Sequence, residues 1–252
     1  MRRHRSQHPS PSPQTDAALV IFAKAPIPGQ VKTRLCPPLT PDEAATLHGS
    51  FVLDTLERAK NATIRLKLPL DRYLACAPSS TLAFFRIMEE RQAVRLIDQE
   101  GDDLGARMDH AAATMFARGY RRVLIVGTDV PTLPLDRYRH ALALLDQQDL
   151  VLGPAEDGGY YLIGLCKPVP GLFEGIAWST NRVLAMTREK ADNLGLTLAL
   201  LESWRDVDTI DDLRALIEAC AADTKKPRQE QFFSPRTAGA LHLLAQRLTS
   251  RA

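Results

Sequence analysis

An α/β fold built on a mostly parallel sheet is predicted by three observations. Apolar strand-like runs alternate with amphipathic helical stretches from Ala17 to about Ala222. The run VLIV at 123–126 is continuously apolar, as expected of a strand covered by helices on both faces. One interruption, where two β-rich runs meet at Asp157-Gly158-Gly159, predicts an antiparallel excursion, because glycine after aspartate tolerates the positive φ of a tight hairpin.

The elements follow in order. ALVIFAK is a strand, PDEAATLHGSFVLDTLERA a helix and DRYLACA a strand; SSTLAFFRIMEE is helical and AVRLI extended. DDLGARMDHAAATMFARG is a helix, RRVLIVGTD a strand and PLDRYRHALALLDQQ a helix. DLVLGPAEDGGYYLIGL holds the hairpin, STNRVLAMTREKADNLG a helix and LTLALLE a strand. DTIDDLRALIEACAA is a helix with Asp208 or Thr209 available as its cap. The expected organisation is a disordered leader at 1–16, one domain at 17–222, and a polar linker with an amphipathic helix at 223–252 that can pack on the domain or on a partner, as in a homodimer.

Composition narrows the function. Of 252 residues, 45% are hydrophobic and 25% charged, ordinary for a globular chain with a sizeable core. The net charge of +2 argues against a global field for nucleic acid or membrane, so any basic function is local. The leader has no apolar segment of a secretory signal, and no apolar run approaches the roughly 20 residues needed to span a bilayer. Cys36, Cys76, Cys166 and Cys220 are far apart, which favours reduced thiols in a cytoplasmic setting over a zinc cage or a disulfide framework. The six histidines are scattered, with surface or packing roles expected.

Three polar stretches fall at predicted strand ends, where open parallel sheets bind ligands. In FAKAPIPGQVKTRL, Gly29 would let the backbone approach an anion while Lys24, Lys32 and Arg34 supply charge-assisted hydrogen bonds; the spacing is not that of a P-loop. Lys24 continues a strand expected to be buried, so an anion or carboxylate is expected beside it. In VLIVGTDVPTLP, Asp129 suits a divalent-cation ligand or a turn and cap residue. In ESWRDVDTIDDL, Asp206 and Asp208 alternate on an extended segment and point the same way. Trp178 and Trp204 flank these stretches and suit either stacking or the core.

Together FAKAPIPGQVKTRL, GDDLGARM, GTDVPTLP, GPAEDGGYYLIGL, IAWST and DVDTIDDL, spanning 22–213, resemble the nucleotide-diphospho-sugar transferase superfamily with the GT-A fold. More narrowly, the chain resembles the DUF2064 family, also called radical-SAM/selenodomain-associated transferase 1, with members assigned as arsenosugar-biosynthesis glycosyltransferases. The resemblance implies a single GT-A-like domain, Rossmann-like, with helices on both faces of the sheet. It implies nucleotide-phosphate contacts from Ala23, Lys24, Gly29, Lys32, Thr33 and Arg34, and Mg²⁺ or Mn²⁺ on Asp129 and Asp208. Gly158, Gly159, Tyr160 and Trp178 would lie on the acceptor or sugar side. Asp157 or Glu156 would act as base, with Asp129 also catalytic through the metal. Only one aspartate of the usual Asp-x-Asp remains at Asp129, and LCPPLTP lacks the downstream lysine of nucleotidyltransferases. The expected activity is sugar transfer from a nucleotide-diphosphate donor to a small acceptor. The alternatives are NTP-dependent nucleotidyl transfer releasing pyrophosphate and a non-catalytic nucleotide-binding module.

Overall fold

The strand leading into the basic loop, β1 (Ala17–Lys24), lies inside a seven-stranded sheet in the computed structural model, which describes residues 13–249. The chain continues through α1 (Pro41–Arg65), β2 (Leu70–Ala77), α2 (Ala83–Gln92), β3 (Arg95–Asp98), α3 (Leu104–Ala117) and β4 (Arg122–Val126). It then forms α4 (Asp136–Leu144), β5 (Leu150–Pro154), β6 (Tyr160–Leu165), α5 (Val183–Asn193), β7 (Leu198–Leu200), α6 (Ile210–Asp223) and α7 (Pro235–Thr249). The strand order is β3-β2-β1-β4-β6-β5-β7. Every pairing is parallel except those of β6, which runs antiparallel to both β4 and β5.

The alternation along β1 builds a core on each face. Leu19 and Ile21 join Val52 and Leu56 of α1, Phe85 of α2 and Tyr138 of α4, whereas Ala18 and Val20 join Met108, Ala112 and Met115 of α3. Because β1, β2, β3 and β4 are parallel and β6 enters from the opposite direction, the carboxyl ends of the first four and the start of β6 meet at one edge. The loops there are free to carry polar side chains above an apolar floor.

Differences from the sequence expectation are local. The helix expected over 41–59 runs on to Arg65, with Ala62 buried against the sheet, and the final strand is only three residues long. Beyond it, Leu201 N–H still donates to Leu152 O at 2.8 Å. Most of the expected disordered leader lies outside the described residues, but Gln14 N–H donates to Asp71 and Asp16 pairs with Arg122. Among the described residues no helix is long and apolar enough to cross a membrane.

α7 returns to the domain. Leu241 and Leu244 pack with Phe51 of α1 and with Leu213, Leu216 and Cys220 of α6 in a third cluster. The buried Asp54 of α1 accepts hydrogen bonds from Ser234 and Thr237 and pairs with Arg236. At the end of α6, buried Asp223 accepts from the backbone N–H groups of Phe232 at 2.7 Å and Phe233 at 2.9 Å. Burial pushes the Asp223 carboxyl up, but these amides and Lys226 outweigh it and leave its pKa below the ordinary value.

A carboxyl with a depressed folded-state pKa contributes stability that is complete above its unfolded pKa, near about 3.9, and is lost as pH falls through the folded value. Asp223→Ala is expected to cost about 1.5–3 kcal/mol in unfolding free energy. The wild-type tether should loosen only below about pH 4. Urea unfolding from pH 3 to 7 with hydrogen exchange on α7 checks both; a variant as stable as wild type would contradict the assignment.

Candidate functional site

The loop after β1 is anchored by its apolar residues. Val31 and Leu35 are buried, and Leu35 enters the α1–α6–α7 cluster from a single 3-10 turn at Thr33–Leu35. Between them Lys32 adopts the left-handed conformation, with φ 49° and ψ 35°, and its side chain turns beneath the loop. Only 4% of that side chain is exposed. Its ammonium lies 2.5 Å from Asp129 Oδ1 and 2.7 Å from Asp208 Oδ1, and it donates to Val207 O at 2.7 Å. The three N–H bonds of an ammonium thus have three acceptors. Desolvation lowers the Lys32 pKa, but Asp129 and Asp208 reverse this and raise it above the ordinary value. Desolvation likewise raises the Asp129 carboxyl, yet Lys32 and then His48 hold it below the usual carboxylate range.

The segment after β7 approaches from the other side. Trp204 bridges in parallel to Ala155, and Val207 N–H donates to Asp129 O at 3.0 Å. Thr209 caps α6 in a reciprocal box with Asp212, which fixes Asp208 just before the first turn. Asp157 Oδ1 accepts from Gly159 N–H at 2.8 Å across the turn between β5 and β6. Asp157, Asp206 and Asp208 each present a carboxylate oxygen within 4.8 Å of the others. Burial first, then the charges of Asp157 and Asp208, push the Asp206 carboxyl up to about 7.

These groups line one cleft of about 640 Å³ at the carboxyl edge of the sheet. Of the residues expected at a phosphate site, Ala23, Lys24, Lys32, Thr33 and Arg34 line it and Gly29 does not. Gly29 has φ +76°, and a Cβ there would meet nothing within 4 Å, so the glycine serves the turn. Lys24 is exposed rather than buried, because it is the last residue of β1, and it has no ion pair among the described residues. Asp157, Gly159, Tyr160 and Trp178 also line the cleft. Gly158 does not: a Cβ on it would stand 2.2 Å from Asn181 O, so this glycine lets the hairpin turn close on the loop before α5. Glu156 is also outside, exposed and paired with Arg205 at 2.8 Å.

Asp129 and Asp208, expected as the metal pair, do come together, with the Lys32 ammonium between them. Asp157 and Asp206, which have no ion pair among the described residues, converge with Asp208, which also holds Lys32. A set of three carboxylate oxygens at this spacing suits a hard divalent ion, which is bound through one or two carboxylates plus waters and phosphate oxygens.

Three lining residues escaped the sequence reading. Arg107, on the first turn of α3, donates to Gly101 O and has no carboxylate partner among the described residues. Gln99 bridges the carbonyls of Ala23 and Ala75 at the ends of β1 and β2. His48, in α1, takes the packing role: it is buried, its Nε2 lies 3.1 Å from Lys24 O, and its Nδ1 faces Asp129 at 4.0 Å. The GDDLGARM stretch was the available signal for Arg107, since helical spacing carries it to the cleft side of α3. Trp204 stands apart, donating to Thr132 and lining a separate apolar cavity of about 430 Å³.

Comparison with known proteins bears on the family and the fold. A protein from Desulfovibrio desulfuricans, provisionally assigned as a nucleotide-diphospho-sugar transferase, is 33% identical, with 92% of this chain and 96% of that chain covered and a TM-score of 0.79. The chain belongs to the nucleotide-diphospho-sugar transferase family. Within this transferase, residues 61–180 match the family described as "Uncharacterized protein conserved in bacteria (DUF2064)". A cytidylyltransferase from Leptospira borgpetersenii shares the fold at 15% identity, with 94% of this chain and 96% of that one covered and a TM-score of 0.54. A Mycobacterium tuberculosis protein solved with manganese shares it at 16% identity, covering 81% and 100%, with a TM-score of 0.50. No curated protein matches the transferase sequence.

Trp178 packs its indole directly on Gly105 of α3, where a Cβ would lie 2.7 Å from the ring. Gly105→Ala should therefore displace the indole and cost about 1–3 kcal/mol by overpacking. In a Trp204→Phe background, where Trp178 is the remaining tryptophan, a red-shifted emission is expected; unchanged emission and stability would contradict this packing.

Proposed function

We propose that this transferase moves a sugar from a nucleotide-diphosphate donor to a small acceptor. The observation that carries the reading is that one cleft is lined both by the cations Lys24, Arg34 and Arg107 and by the carboxylates Asp157, Asp206 and Asp208. Arg34 is 67% exposed at its side chain and 3.9 Å from Asp208, so its guanidinium can turn to a phosphate. Charge-assisted bonds from these cations hold a diphosphate both before and after the glycosidic bond breaks, and they stabilise it more as negative charge develops.

Asp157 is the base in this reading. It lies on the cleft side of the hairpin turn, and its bond from Gly159 N–H fixes the carboxylate while leaving the second oxygen for an acceptor hydroxyl. Asp206 and Asp208 would hold Mg²⁺ or Mn²⁺, which supplies neutralisation of the departing diphosphate. Trp178 and Tyr160, edge to face with centroids 6.5 Å apart, offer an apolar wall to a sugar ring. The four unpaired cysteines suit a reducing compartment such as the cytoplasm.

Thermal-shift screening of UDP, GDP, CDP and their sugar conjugates, followed by product analysis, tests the proposal. Release of a nucleoside diphosphate supports sugar transfer; release of pyrophosphate from an NTP would replace it with nucleotidyl transfer; and tight binding with no product would leave a binding module. Lys24→Ala and Arg34→Ala should each weaken nucleoside diphosphate binding about tenfold, the effect of losing one charge-assisted bond near solvent. Asp157→Asn should retain binding and lower turnover by about 10²–10⁴-fold. Undiminished turnover in that variant would remove Asp157 from the base role.

A further inference from the structure

We infer that Lys32, and not a divalent cation, is the permanent counter-ion shared by Asp129 and Asp208, so that Asp129 is not a metal ligand in this protein. The inference rests on the coordination of one buried ammonium. Lys32 is held by both carboxylates and by Val207 O, from two separate segments of chain, and the 4% exposure of its side chain leaves no path for it to swing into solvent without disturbing the loop. That loop is pinned on each side of Lys32 by buried Val31 and Leu35. The left-handed backbone at Lys32 aims the side chain inward, and a non-glycine residue adopts this conformation only where the surroundings hold it.

The surroundings of Asp129 point the same way. His48 stands on its other flank, 5% exposed, with Nε2 set against the Lys24 carbonyl and Nδ1 4.0 Å from Asp129 Oδ1. Lys32 and the imidazole thus both face Asp129 Oδ1, with the Lys24 ammonium adding to the positive field, while the Asp129 side chain keeps 45% exposure. A dication placed between Asp129 and Asp208 would have to displace the Lys32 ammonium, leaving it desolvated beside a second positive charge. The acidic cluster of Asp157, Asp206 and Asp208 involves Asp129 at no point. Lys32 is therefore a positioning residue: it holds the loop after β4 and the segment before α6 together and occupies the place between Asp129 and Asp208 that a dication would otherwise take.

The inference concerns the ion balance of the cleft and holds whichever group is transferred. Titration with Mn²⁺ alone, without nucleotide, keeps its failure separate from failure of the donor assignment. Mn²⁺ binding is measured by electron paramagnetic resonance of the free ion and by calorimetry on the full chain, comparing wild type with Asp129→Asn, Lys32→Met and the double variant. Asp129→Asn should leave wild-type Mn²⁺ stoichiometry and affinity within about twofold, since no ligand is lost. Lys32→Met should gain one Mn²⁺ equivalent relative to wild type, because it removes the ammonium from between the carboxylate pair, and the double variant should lose that gain. A tenfold or larger loss of Mn²⁺ affinity in Asp129→Asn, or no added equivalent in folded Lys32→Met, would overturn the inference. Should Lys32→Met not fold, the Asp129→Asn comparison decides alone.

Discussion

A buried ammonium between two carboxylates is the constraint on which the rest of the cleft depends. Removing Lys32 from water costs several kcal/mol unless every N–H is matched, and the three acceptors come from the loop after β4 and the segment before α6. Neither partner survives alone in this arrangement. Without Lys32, Asp129 and Asp208 would repel across a short gap; without either carboxylate, a desolvated cation would remain. The backbone reinforces the pairing, since Val207 N–H donates to Asp129 O and so ties the same two segments together. Three stretches distant in sequence are therefore fixed as one unit, and the basic loop is held down by the electrostatics of its lysine as well as by the burial of Val31 and Leu35.

That unit decides where charge remains available. Had Lys32 faced solvent, the loop would present three cations to a ligand; with Lys32 committed inward, Lys24 and Arg34 are left, joined by Arg107 from α3. The hairpin wall is set by backbone approach. Gly158 permits the hairpin turn to lie against Asn181, and Leu184 N–H donates to Gly158 O at 2.9 Å, which couples the turn to the start of α5. Asp157 is thereby brought toward Asp206 and Asp208, while its neighbour Glu156 is carried away to Arg205. Two adjacent acidic residues thus acquire different environments from the direction of one turn.

The fold was legible in the sequence because both of its periods were clean. β1 alternates its apolar residues between two cores, the VLIV run of β4 is apolar throughout, and the Asp-Gly-Gly turn announced the one strand that reverses the sheet. The site was legible as a set of strand ends, so Asp129, Asp157 and Asp208 were found as polar residues closing apolar runs. Side-chain direction was not legible. Nothing in the residue types says that Lys32 takes the left-handed conformation and turns inward, or that Lys24 lies just beyond the buried part of its strand. Helical contributors were hidden for a related reason: His48 and Arg107 sit within ordinary amphipathic patterns, and their facing the cleft depends on how α1 and α3 pack on the sheet. Asp206 was seen to share a direction with Asp208, but its closeness to Asp157 depends on a register between two segments that no local pattern records.

The distribution of charge also gives the two carboxylate groups of the cleft different relations to a ligand. Asp129 shares the single Lys32 charge with Asp208, and its carboxyl is held below the ordinary range. The Asp206 carboxyl is pushed in the opposite direction, to about 7, by burial and by Asp157 and Asp208, which marks the place where the fold leaves negative charge uncompensated. Asp208 belongs to both groups, giving Oδ1 to Lys32 while offering a carboxylate oxygen to the cluster. A diphosphate alone would be drawn to Lys24, Arg34 and Arg107 and repelled by the acids. Under the proposed function a diphosphate accompanied by a cation would satisfy both sets of groups, the ion being held by Asp206 and Asp208 and the phosphates by the cations. The fixed ammonium and the open acidic cluster are thus complementary: one makes the loops rigid before any ligand arrives, and the other reserves an electrostatic deficit that the proposed substrate, with its cation, would fill.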